Sequence, residues 1–176
     1  HAVGSAARVL EQALARDPNH EALVTRGVRL TYGQLDELAN RAVHALFNLG
    51  VRPGDRVCAS LPNDFDVVVA FHGVMRLGAI WVGINRVLAE PEKQHILSDC
   101  EPTIYLTDTP LQDDTAASSK FRVIDVETWR SAIAAEPSSR WSGPEPDPLL
   151  PAGIAYTSGT TGRPKGAVHS QHNLML

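Results

Sequence analysis

Four short apolar runs, at residues 56–61, 79–84, 103–107 and 121–124, punctuate this chain, and three of them lead into stretches with helical spacing, at 67–76, 90–99 and 127–135. Strands alternating with helices at this interval predict an α/β fold with a mainly parallel sheet flanked by helices. Parallel neighbours need crossover connections, which are right-handed. Ligands of such sheets bind beyond the carboxyl ends of the strands. Any loop that leaves a strand at that edge is therefore a candidate site.

The flanking segments fit the same frame. Val9, Leu10, Ala13 and Leu14 give residues 6–15 a helical period, and Asp17-Pro18-Asn19 ends it. Residues 22–25 and 28–30 surround Arg26-Gly27 and predict a short hairpin. Thr31 is placed to cap a helix whose apolar positions run from Leu35 to Phe47 and which Gly50 closes. Pro91 suits the first turn of the 90–99 helix. Residues 108–120 are polar and read as a surface loop. Residues 137–151 hold five prolines and Gly143, which no helix or central strand tolerates. The expected organisation is an α/β unit over 1–136, a Pro-rich linker over 137–151, and a final strand, loop and helix start over 152–176. In that last unit residues 153–157 form the strand, and Ser170 caps a helix beginning at His172.

The final strand feeds Thr157-Ser158-Gly159-Thr160-Thr161-Gly162-Arg163-Pro164-Lys165-Gly166. Glycines let backbone N–H groups turn inward around an anion. Hydroxyls donate to phosphate oxygens, and an ammonium supplies a compact positive charge. This is not the Walker A pattern, which requires Gly-Lys-Ser/Thr after Gly and four residues. Pro164 and Gly166 occupy the wrong slots for it. Ser158 lacks the Gly-x-Ser-x-Gly elbow of a nucleophile, and no base lies near it in sequence. A plain connecting loop is the alternative that composition alone leaves open.

The order of that loop closely resembles the signature of the adenylate-forming superfamily, which includes acyl-CoA synthetases, luciferases and nonribosomal-peptide adenylation domains. The resemblance is most specific from Tyr156 to Asn173. It extends more weakly through Leu30-Thr31-Tyr32-Gly33-Gln34-Leu35, Gly50-Val51-Arg52-Pro53-Gly54-Asp55-Arg56-Val57, Leu61-Pro62-Asn63, Leu77-Gly78-Ala79-Ile80 and Asn85. It implies the N-terminal part of the acyl-CoA synthetase large domain. The family's adenine, ribose, hinge and second lysine segments, with the small C-terminal lid domain, would lie beyond Leu176. This chain is thus expected to be an N-terminal fragment, inactive by itself.

The implied chemistry has two steps: a carboxylic acid and ATP give an acyl-adenylate and pyrophosphate, and a thiol then takes the acyl group. Coenzyme A is the implied acceptor, with a carrier-protein thiol as the alternative, and Mg²⁺ the implied companion of ATP. Thr157, Ser158, Thr160 and Thr161 would donate hydroxyl hydrogen bonds to the β- and γ-phosphates. Gly159 and Gly162 would permit the backbone path. Lys165 would offset charge on the departing pyrophosphate and is the candidate catalytic residue. Arg163 is expected to face solvent or a partner domain. Many relatives carry a His six positions after this lysine; here Gln171 holds that slot, His172 is displaced by one, and neither receives a catalytic role. His169 is expected to be structural. Trp81 is read as a core residue beside the alternative of an acyl-pocket contact. A nucleotide- or phosphate-binding module without catalysis is the reading from a different class.

Composition narrows the remaining choices. Hydrophobic residues make up 43% and charged residues 20%, which suits a packed core and excludes global disorder. A net charge of −4 offers nucleic acid no overall attraction. No Asp or Glu follows Asp147, so the tail that holds Arg163 and Lys165 is locally positive. Cys58 and Cys100 stand 42 positions apart and match no metal or redox motif. Cys58 falls in an apolar strand and reads as a buried thiol. Reduced cysteines and the lack of a secretory pattern point to the cytoplasm. The residues leave open whether the parent protein forms a homodimer.

Overall fold

Helix starts and stops are written locally, and they fix the frame of the fold. The computed structural model describes residues 3–109, 120–157 and 164–176. Helix α2 (Tyr32–Asn48) opens with a capping box: Thr31 Oγ1 accepts from the Gln34 N–H at 3.2 Å, and Gln34 Oε1 accepts from the Thr31 N–H at 2.9 Å. Asp64 caps α3 (Phe65–Leu77), which ends on Gly78 at φ 76°, a left-handed conformation that suits glycine. Asp125 caps α5 (Val126–Ala135) through the Thr128 N–H at 2.7 Å. α4 (Glu90–Cys100) has Pro91 in its first turn, and Glu92 reaches back to the Ala89 N–H at 2.9 Å.

A two-stranded antiparallel ribbon, β1 (Glu21–Thr25) with β2 (Val28–Thr31), precedes the main sheet. That sheet has six strands in the order β6-β5-β3-β4-β7-β8. They are β3 (Arg56–Ser60), β4 (Ile80–Gly83), β5 (Ile104–Thr107), β6 (Arg122–Asp125), β7 (Pro151–Thr157) and β8 (Lys165–Ser170). The first five lie parallel to their neighbours, and β8 alone runs antiparallel, beside β7. The chain is therefore α/β with a mostly parallel sheet, as the alternation of its segments predicts.

The pleat sorts side chains into two cores. Val57, Ala59, Ile104, Leu106 and Ile124 face a cluster with α2, α3 and α5, whose fully buried members include Leu46, Met75 and Trp129. Cys58, Val82 and Tyr105 point the other way, onto Ile96, Leu97 and Cys100 of α4. Helices thus cover both faces. Gly73 lets α2 and α3 cross closely, since a Cβ there would lie 2.7 Å from the Ala42 Cβ. Among the described residues no helix is long and apolar enough to cross a membrane.

Three local expectations change. Residues 6–15 are not one helix: a 3₁₀ turn (Ala6–Arg8) precedes the short α1 (Glu11–Arg16). The buried Gln171 carbonyl accepts from Ser5 Oγ at 2.6 Å and from the Ala7 N–H at 2.9 Å, which draws the first turn onto the sheet. The segment after His172 is only a 3₁₀ turn (Asn173–Met175), although Ser170 Oγ does accept from the Asn173 N–H. β8 is an element that the sequence reading lacks. The Pro-rich residues 137–150 hold no helix or strand, but Trp141 packs against Phe47 and His44 on α2. The two cysteines, distant in sequence, bring their sulfurs to 3.3 Å between β3 and the end of α4, as free thiols.

One buried group couples this packing to pH. His72, on α3, is 8% exposed, and burial lowers its pKa to about 4, with Arg76 repelling the imidazolium and Asp36 partly opposing that. The folded pKa lies below the unfolded value. The unfolded chain therefore binds the extra proton as pH falls through 6.5, and stability present above that pH is lost on the way down to 4. At pH 5 the loss due to His72 should reach about 2 kcal/mol. Urea midpoints measured from pH 7.5 to 5 should fall, and His72→Gln should flatten that dependence.

Candidate phosphate-binding site

β7 runs parallel to β4, so its C-terminal end, Thr157, lies at the same sheet edge as the ends of β3 and β4. β7 pairs with β4 only at Gly153 opposite Trp81. From Ile154 onward its ladder partner is β8, through Ile154↔Val168, Ala155↔Ala167, Tyr156↔Gly166 and Thr157↔Lys165. Beyond Gly153 the hairpin is thus laddered as a two-stranded stem, whose described ends are Thr157 and Lys165.

Register decides what each face of the stem presents. Directly opposed residues share a face, and neighbours along a strand alternate. Thr157 and Lys165 therefore stand side by side on one face, both exposed. Tyr156 and Gly166 form the opposite face. A Cβ on Gly166 would lie 2.7 Å from Ile154 Cγ2 and 3.2 Å from Tyr156 Cζ. Only glycine lets those two side chains lie across β8, and both pack onto the α4 core.

Helix α4 touches both strands of the stem. Tyr156 OH donates to Asp99 Oδ2 at 2.6 Å. Burial and that carboxylate together push the phenol's pKa up, so it stays protonated as the donor. His95 Nε2 lies 3.2 Å from the Pro164 carbonyl oxygen. A carbonyl only accepts, so Nε2 carries the hydrogen in this contact.

Of the sequence-predicted residues, Thr157 and Lys165 are thus brought together. Ser158, Gly159, Thr160, Thr161 and Gly162, with Arg163, lie outside the described residues. Gln171 is a buried bolt, its amide donating to the Met75 carbonyl at 2.8 Å. Trp81 is half-buried, in edge contact with Phe71, and lines an open cleft with Leu61, Asn63 and Asn85 at the ends of β3 and β4. That cleft unites two of the sequence segments that carry the weaker resemblance, Leu61-Pro62-Asn63 and Asn85. His95, Asp99 and Tyr156 were missed as site neighbours; the i, i+4 spacing of His95 and Asp99 on α4 was the available signal. Among the described residues no group of three His, Cys, Asp or Glu gathers as a metal set.

Comparison with known proteins bears on the family and the fold. Residues 10–176 match the family described as AMP-binding enzyme. The chain is 37% identical to a long-chain-fatty-acid–CoA ligase, FadD13, of Mycobacterium tuberculosis, over 94% of this chain and 35% of that protein. It is 36% identical to phosphinothricin tripeptide synthetase PhsC of Streptomyces viridochromogenes, over 91% of this chain and 15% of that one. Among solved structures, the anthranilate CoA ligase AuaEII in complex with anthranoyl-AMP superposes with a TM-score of 0.89 at 27% identity, over 98% of this chain and 34% of that one. A fatty acyl CoA synthetase of Mycobacterium tuberculosis superposes at 0.85 with 30% identity, over 95% and 34%. The chain spans about a third of the length of the CoA ligases it resembles. With the match covering nearly every residue, this chain belongs to the AMP-binding enzyme family.

Proposed function

We propose that these residues are the N-terminal part of an ATP-dependent carboxylate–CoA ligase, in which the β7–β8 hairpin holds the triphosphate. The observation that carries the reading is the Thr157 and Lys165 pair on one exposed face of the stem, at the edge where parallel sheets bind ligands. The substrate acid's carboxylate oxygen attacks the α-phosphorus of ATP. A new O–P bond forms, the bond to the bridging oxygen breaks, and pyrophosphate leaves with that electron pair. Such a step needs little covalent help, only alignment and charge stabilisation. The Thr157 hydroxyl donates to a phosphate oxygen, and the Lys165 ammonium offsets the charge that grows on pyrophosphate. The hydroxyls of Ser158, Thr160 and Thr161 add donors, while Gly159 and Gly162 leave room for backbone N–H groups. Mg²⁺, when bound with ATP, neutralises phosphate oxygens. The described residues offer it no set of three carboxylate, His or Cys ligands. The thiol of coenzyme A then displaces AMP from the acyl-adenylate.

Similarity to PhsC supports a second reading of the acceptor, a carrier-protein thiol. The full-length protein should exchange labelled pyrophosphate into ATP in the presence of one member of an aliphatic and aryl acid panel. It should then form an acyl thioester with coenzyme A. Exchange without a CoA thioester would move the assignment to carrier loading, and no exchange with any acid would favour a non-catalytic phosphate-binding module. Residues 1–176 alone should give no acid-dependent exchange.

A further inference from the structure

The sheet supports the stem of the candidate phosphate loop chiefly at its base, where β7 lies beside β4. One register pair, Gly153 with Trp81, ties β7 to β4, and the strand beyond it is held on its ladder only by β8. An isolated two-stranded ribbon is marginal in water. Yet a lysine that stabilises a departing phosphate must be held to within a fraction of an ångström for its full effect. Past the end of β4, contacts from outside the sheet can fix the stem.

Helix α4 is placed to do so. His95 and Asp99 lie one turn apart, so both project from the same helix face. Asp99 takes the Tyr156 hydroxyl on the strand that enters the loop, at 2.6 Å. His95 meets the Pro164 carbonyl, where the chain leaves the loop, at 3.2 Å. Tyr156 immediately precedes Thr157, and Pro164 immediately precedes Lys165. The helix therefore holds the residue before each of the two described site residues, Tyr156 by its side chain and Pro164 by its backbone carbonyl. Its own base is rigid, because Ile96, Leu97 and Cys100 are buried against β3, β4 and β5.

We infer that Asp99 and His95 are positioning residues: they clamp both strands of the hairpin so that Thr157 and Lys165 meet the triphosphate in a fixed register. The inference rests on the reading of this loop as the ATP site. Neither residue touches the nucleotide; each acts through the stem. The Asp99 carboxylate is exposed, so its hydrogen bond is moderated by water, and the effect is one of alignment rather than of survival of the fold.

The test is made in the full-length protein by acid-dependent pyrophosphate exchange, with kcat/KM for ATP and KM for the acid measured separately. Tyr156→Phe removes one oxygen and keeps the ring over Gly166. It should lower kcat/KM for ATP about 3- to 10-fold, in keeping with one exposed hydrogen bond to a carboxylate, with KM for the acid within about twofold. Asp99→Ala should match it, the double variant should add little, and Asp99→Asn, which can still accept, should recover most of the loss. His95→Ala should act in the same direction, with His95→Gln recovering it through the amide donor. Unchanged kcat/KM for ATP in folded Tyr156→Phe and Asp99→Ala overturns the clamp, as does a rise of the same size in KM for the acid. Lys165→Ala in the same assay separates the two readings. If it is crippled while Tyr156→Phe is normal, only the clamp falls. If it too is normal, the phosphate-site reading falls with it.

Discussion

Replacing Lys165 by alanine in the full-length protein should slow acid-dependent adenylation by about 10²- to 10³-fold, the usual cost of losing one preorganised group at a developing negative charge. Unfolding should be nearly unaffected. The residue is exposed on the outer face of the stem, and its side chain makes no ion pair among the described residues. Its backbone stays paired with Thr157 whatever the side chain is. Because the charge on pyrophosphate grows as the bond breaks, the loss should fall mainly on kcat and kcat/KM together. Lys165→Arg should restore charge but not full rate, since a planar guanidinium does not reproduce a compact ammonium. Steady-state pyrophosphate exchange and a urea titration on the same samples check both halves. Normal exchange in a folded Lys165→Ala protein would remove this residue from the chemistry.

The largest stability effect is expected at Trp129. It is fully buried on α5, within the core that α2, α3 and the sheet share. Trp129→Ala should cost roughly 3–5 kcal/mol, combining lost transfer free energy with the cavity left behind. A lower urea midpoint at unchanged m would register it. The indole adds a finer contrast. Its N–H is buried with no hydrogen-bond partner among the described residues, so the native state already bears the cost of desolvating that donor. Trp129→Phe removes the orphan donor while keeping most of the aromatic volume, and its loss should be clearly smaller than that of the alanine variant. Equal losses would mean that the N–H is satisfied in solution.

What could be read beforehand was what the chain states locally. The Thr31 cap, the Gly50 that closes the same helix, and the apolar runs that become β3 to β6 each depend on neighbours a few residues away. The signature loop was legible for the same reason, as ten consecutive residues. β8 was not, because Lys165-Gly166-Ala167-Val168-His169-Ser170 has neither an apolar run nor clean alternation; it forms through backbone pairing with β7. The N-terminal helix was misjudged because Gln171, far along the chain, takes hold of Ser5 and Ala7. The contact of Cys58 with Cys100, and of α4 with the hairpin, likewise join segments whose spacing carries no signal. Local propensity yields wherever a distant polar group competes for the same backbone.

The single register pair between β4 and β7 also sets an order of assembly. Gly83 and Pro151 are separated by α4, β5, β6, α5 and the Pro-rich crossing, so their meeting closes a long loop. Closing long loops is slow, and it is rewarded only once both edges exist. During synthesis the β3, β4 and β5 layers, with their helices, can condense before the hairpin emerges. The hairpin then docks onto a finished edge. Substitutions in the stem should accordingly speed unfolding more than they slow folding, leaving the chain's nucleation indifferent to the segment proposed to hold the triphosphate.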